Sequence, residues 1–232
     1  MLRLISYKHH RFPSKIITHA VWLCCRFSMI LREVEELLLE RGIDVSYETI
    51  RRWIAKFGPA IARGLRRRQP QPGDVWHFDE VVVTIEGRKF WLWRVVGQNG
   101  LVLDETLQCR RNIKAAKRLL VRLMKKHNCT PKCFVTDKLR SCGAAKREIL
   151  PGVEHRSYKG LNNRAENSHL PFRKPERAMQ GYRSPGSLQR FVLIHSAIRN
   201  CFSVPTHSRS ALTNRYDRLE AFDAWIAAAA AA

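Results

Sequence analysis

Apolar positions recur at helical spacing through the first third of the chain and then switch to strand-like alternation. Residues 13–25 carry Ile16, Ile17, Ala20, Val21 and Leu23 on a helical repeat. Leu31, Val34, Leu37 and Leu38 repeat in the same way, with Glu33, Glu35, Glu36 and Glu40 on the other faces and Gly42 as a stop. Ser46 then caps a further helix that turns Ile50, Trp53 and Ile54 inward and Arg51, Arg52 and Lys56 outward. The pattern predicts an all-helical region over residues 1–68, with a helix-turn-helix at about 28–57. Arginines and prolines between Arg66 and Gly73 break it, placing a linker at 69–73.

Beyond the linker, Val75–Ile85 is β-branched and aromatic on both alternating faces, as a strand buried on two sides requires. Residues 89–96 and 101–108 read as two more strands, joined through Gly87 and the Gly97–Gly100 stretch into an antiparallel meander. Asn112 caps a helix with Ile113, Ala116, Leu120, Leu123 and Met124 inside and Lys114, Lys117, Arg118, Arg122 and Lys125 outside. Cys133–Asp137 is a short apolar strand ending in a carboxylate, followed by a helix at 141–150, a short strand at 153–158 and a helix starting near Arg164. The order βββαβαβα predicts an α/β fold of the ribonuclease H-like kind over residues 74–203, preceded by the all-α helix-turn-helix domain. Residues 204–232 read as a tail, with its terminal run of six alanines as a frayed helix without chemistry.

Charge narrows the partners. Lys and Arg number 42 against 20 Asp and Glu, giving a net charge of +22 and a polyanionic partner. A composition 45% hydrophobic excludes a disordered basic protein. The apolar run Ala20–Cys25 is far short of the ~20 residues that cross a bilayer. With no continuous hydrophobic leader at the N-terminus, a soluble, cytoplasmic, nucleoid-associated protein with no membrane contact is expected. In the second helix of the helix-turn-helix, Tyr47, Thr49, Arg51, Arg52 and Lys56 are the residue types that meet bases and phosphates in a major groove.

Three carboxylates occupy costly places: Asp79 within an apolar strand, Asp137 at the end of another, and Glu166 at the start of a helix. A shared divalent metal and ordinary strand-end acids both account for them. Glu80 rivals Asp79, but alternation sends the two to opposite faces, so only one joins a site. Lys138, Arg140, Arg164, Arg173, Lys174 and Arg177 form a basic strip beside these acids, suited to phosphate or simply to solvent. The E-x-x-H spacing of Glu166 and His169 is half of a di-iron motif, and His127, Cys129, Cys133 and Cys142 form an irregular zinc-like set; neither is complete.

Trp76–Glu80, Val135–Lys138 and Leu161–His169 resemble the three acidic motifs of the DDE transposases of the insertion-sequence-six family. Ser46–Trp53 is similar to that family's helix-turn-helix, and Arg183–Arg190 to its stretch after the last motif; the resemblance spans roughly residues 8–203. It implies an enzyme that binds the terminal inverted repeats of its own mobile element, cuts their 3′ ends and joins them to target DNA as cointegrates. Asp79, Asp137 and Glu166 then look like the catalytic and metal-binding triad for two Mg²⁺ ions, with Mn²⁺ able to substitute. Lys138, Arg164, Arg173 and Lys174 would join the helix-turn-helix residues in contacting double-stranded DNA, and two ends held together imply a homodimer or larger. A helix-turn-helix regulator without chemistry, or a nuclease without strand transfer, shares parts of this pattern.

Overall fold

The computed structural model describes residues 5–68, 72–137, 140–157, 165, 168–169, 173, 176, 181–203 and 210–230. The chain divides into two compact units, one from Met1–Gln69, Lys174–Gln180 and Arg190–Ala232, the other from Pro70–Arg173 and Gly181–Gln189.

The first unit is helical. α1 (Ser14–Arg26), α2 (Leu31–Leu39) and α3 (Tyr47–Arg66) come from its N-terminal part, joined by most of α6 (Pro185–Cys201) and by α7 (Ala211–Ala229). Glu33 Oε2 accepts from the Ile30 amide at 2.8 Å to cap α2, Gly42 takes φ +73° to end it, and Ser46 Oγ caps α3 through the Thr49 amide. α3 continues through Pro59, beyond the end expected near residue 57, because Ile61, Ala62 and Leu65 extend its buried stripe and outweigh one lost helical hydrogen bond.

The tail carries α7, a helix longer and more deeply buried than the frayed end the alanines suggest. Ser210 caps it, and Ala221, Trp225, Ala228 and Ala229 are buried in the same core as Phe57, Ile61 and Leu65. The Tyr7 hydroxyl donates to the Ala229 carbonyl at 3.0 Å. Small side chains bring the helices close: a Cβ on Gly64 of α3 would stand 3.1 Å from Ala228 Cβ and 3.3 Å from its Cα. Gly64→Val is therefore expected to cost about 1–3 kcal/mol, since both helix bodies would have to separate. A denaturant midpoint equal to that of the wild type would contradict this packing.

The second unit carries a five-stranded sheet in the order β3-β2-β1-β4-β5. β1 (Val75–Ile85), β2 (Arg88–Gly97) and β3 (Val102–Gln108) form the antiparallel meander, with Glu86 and Gly87 both at positive φ in a two-residue hairpin turn. β4 (Cys133–Thr136) runs parallel to β1, and β5 (Glu154–Arg156) runs parallel to β4. α4 (Ile113–His127) and α5 (Arg140–Ile149) supply the crossovers. This order and these directions are those of the ribonuclease H-like fold. Trp76, Phe78, Trp93, Val95 and Phe134 pack with Ala116, Leu120 and Leu123 of α4 on one face. On the other face, Ala165 packs on Val96 and Val102. The outer cations of α4 are partly engaged: Arg122 donates to Asp104 and Thr106, and Lys117 pairs with Glu148. Among the described residues no helix is long and apolar enough to cross a membrane.

Candidate active site

The site arises where a short strand stops beside a long one. β4 pairs with β1 only as far as Phe78 opposite Thr136, so Asp79 and Asp137 are the next two residues along neighbouring parallel strands. Strands so paired lie about 4.8 Å apart, and residues in register share a face. Both acids line one cleft of about 240 Å³, together with Phe78, Glu80, Val82, Trp91 and Arg111. Asp137 is exposed and Asp79 half-buried, so one carboxylate faces solvent and the other lies deeper.

Two histidines lie close to these acids. His169 Nε2 stands 3.4 Å from Asp79 Oδ2, at the long end of a polar contact. Burial pushes the His169 pKa down, opposed by the contact with Asp79, reinforced by Arg94 and opposed again by the charges of Asp79 and Glu105. Beside Asp137, Thr136 Oγ1 shares a 2.9 Å hydrogen bond with His155 Nε2, which burial and then Lys146 and Arg147 hold below the ordinary histidine range.

Glu80 lies on the α4 face, as alternation requires, yet it lines the cleft too, because the cleft opens at the point where the sheet loses a strand. Arg111 pairs with it, and burial raises the Glu80 pKa against the pull of that guanidinium. Arg111 was not visible as a site residue in the sequence; its only signal is its place directly before the helix cap Asn112.

Of the other expected residues, Arg173 Nη2 donates to the Val82 carbonyl at 3.4 Å, which puts it at the cleft margin. Glu166, Lys138, Arg164 and Lys174 lie outside the described residues. In the helical unit, Tyr47, Arg51, Arg52 and Lys56 are exposed along α3 and Thr49 is half-buried. Two of the arginines are held by their own helix: Glu48 binds Arg51 at 2.6 Å and Arg52 at 3.3 Å, and the Arg51 hydrogen bond keeps its carboxyl below the usual range. Lys56 Nζ lies 2.8 Å from His10 Nε2, and Thr49 Oγ1 is 3.1 Å from the capping Ser46. Among the described residues no three His, Cys, Asp or Glu side chains gather as a metal-binding group.

A family model described as "DDE domain" matches residues 73–204, more than half of the chain. The chain belongs to the DDE-domain family of insertion-sequence transposases. Residues of this transposase are 27% identical, over 168 residues, to the transposase for insertion sequence-like element IS431mec of Staphylococcus aureus, covering 70% of this chain and 75% of that one. The transposase for insertion sequence element IS257 in transposon Tn4003, also from Staphylococcus aureus, is 26% identical over the same shares. Among solved structures, the HTLV-2 integrase catalytic core domain superposes with a TM-score of 0.43 and 12% identity, covering 61% of this chain and 93% of that one.

Proposed function

We propose that the transposase binds the terminal inverted repeats of its element, cleaves their 3′ ends and joins those ends to target DNA, giving cointegrates. The observation that carries this reading is the pair Asp79 and Asp137, side by side where β4 ends, in a chain of the DDE family.

The donor chemistry of the cleft fits a hard divalent cation, because two carboxylates from adjacent strands offer only oxygen ligands. Asp79 and Asp137 would hold Mg²⁺, or Mn²⁺ in its place, and Glu166 is the residue we assign as the third ligand. A pair of such ions, when bound, supplies an activated attacking oxygen and stabilises a leaving one. The same cleft then serves water in end cleavage and the freed 3′ hydroxyl in joining, each displacing an alkoxide from phosphorus. Arg111, which lines the cleft and pairs with Glu80, and Arg173 at its margin are the guanidinium groups nearest to where bound phosphates would lie.

Duplex DNA is the partner that a net charge of +22 and the cationic face of α3 favour, with Tyr47, Thr49, Arg51, Arg52 and Lys56 as the reading residues. Glu48 competes with phosphate for Arg51 and Arg52, which favours selective over indiscriminate binding. Holding two element ends for one reaction calls for at least two copies of the chain. Terminal-repeat affinity is expected to fall on the order of 10³-fold between 50 and 200 mM salt, as the neutralisation of about six phosphates requires. Gel-shift titration of the terminal-repeat duplex checks this; an affinity independent of salt contradicts the electrostatic footprint.

A further inference from the structure

One row of charges crosses the sheet on the same face as Asp79. Asp79 of β1 pairs in register with Arg94 of β2, and Arg94 pairs in register with Glu105 of β3. Residues directly opposite one another point to the same side. Arg94 and Glu105 are each 2% exposed, an expensive place for two charges. Glu105 Oε2 accepts from Arg94 Nε at 3.1 Å and from Nη2 at 2.9 Å, which fixes the plane of the guanidinium.

With that edge of the fork held, the remaining arm points away from the sheet. Arg94 Nη1 donates to the backbone carbonyl of Ser168, and lies 3.4 Å from its hydroxyl. Ser168 Oγ in turn donates to the Ala165 carbonyl at 2.5 Å. Ala165 is seated on Val96 and Val102, and His169 reaches Asp79. Ala165, Ser168 and His169 are thus fastened to the face that carries Asp79, and they flank Glu166 in sequence.

We propose that Arg94, oriented by Glu105, is a positioning residue that holds Ser168 and His169 against the face of Asp79 and so sets how the Asp79 carboxylate meets the metal. The proposal rests on the assignment of Asp79, Asp137 and Glu166 made above. A buried ion pair serving stability alone has no need of a third bond to a segment outside the sheet, whereas a segment packed against a metal ligand does, because Mg²⁺ tolerates little error in ligand placement.

The test measures Mn²⁺ binding to the full chain by electron paramagnetic resonance, alongside strand transfer. Its variants are Arg94→Met/Glu105→Leu, which removes both charges together, Asp79→Asn, and the combination of all three changes. The double variant is expected to bind Mn²⁺ and to join DNA about 10–100-fold more weakly than the wild type, with terminal-repeat affinity unchanged. Adding it to Asp79→Asn is expected to cause no further loss of Mn²⁺ affinity, since the clamp acts through that ligand. If the double variant does not fold, Arg94→Lys decides: it keeps a charge opposite Glu105 but lacks the fork, and Mn²⁺ affinity is expected to fall in the same direction. Wild-type Mn²⁺ binding and joining in the folded clamp variants, with binding lost in Asp79→Asn, overturns the clamp alone. Unchanged binding in Asp79→Asn overturns the site assignment and the clamp with it.

Discussion

Asp137→Asn is expected to lower strand transfer by at least about 10³-fold, equivalent to roughly 4 kcal/mol of transition-state stabilisation. The amide keeps the shape of the side chain and loses its charge, so it cannot replace a carboxylate as a ligand for a hard cation. Asp137 is the cleaner of the two aspartates to change, because it is exposed at the end of β4 whereas Asp79 contacts the buried His169. The substitution is therefore expected to leave the unfolding free energy within about 0.5 kcal/mol of the wild type and to leave terminal-repeat binding intact. Single-turnover joining of pre-cut ends, measured with the stability of both proteins, checks the prediction. A loss that tracks unfolding would move Asp137 from chemistry to structure.

Arg94→Met alone is expected to destabilise the protein by about 3–5 kcal/mol. The change strands the Glu105 carboxylate, whose Oε2 loses both of its donors from Arg94 and whose Oε1 has no hydrogen bond among the described residues. The cost comes from the orphaned charge, so Arg94→Met/Glu105→Leu is expected to recover most of it. Urea denaturation of the single and double variants measures both effects. If the single variant loses less than about 1 kcal/mol, Glu105 is not the buried, dependent partner that the geometry describes.

Much of this architecture is readable from the chain because local signals agree with tertiary ones. The meander and α4 follow from a change of hydrophobic period, a glycine turn at Gly87 and a cap at Asn112. Asp79 and Asp137 stand out as charges ending or interrupting apolar runs. What stayed hidden depends on pairing between distant segments. α7 gives no amphipathic signature, because alanines pack by being small, and only the approach of Ala228 to Gly64 shows their use. Arg94 and Glu105 are charges set in otherwise largely apolar strands, but only the strand register makes them partners. The hold of Glu48 on Arg51 and Arg52 was within reach of i,i+3 and i,i+4 spacing, and it changes an apparently free cationic face into one already partly neutralised.

The most direct measurement is the joining of labelled duplex carrying the element's terminal repeats to a supercoiled plasmid in Mg²⁺, with the wild type and Asp79→Asn compared at equal occupancy of the repeats. The account predicts covalently joined product from the wild type only, and none after chelation. Equal product from both proteins, or bound repeats that the wild type never cuts or joins, would contradict it.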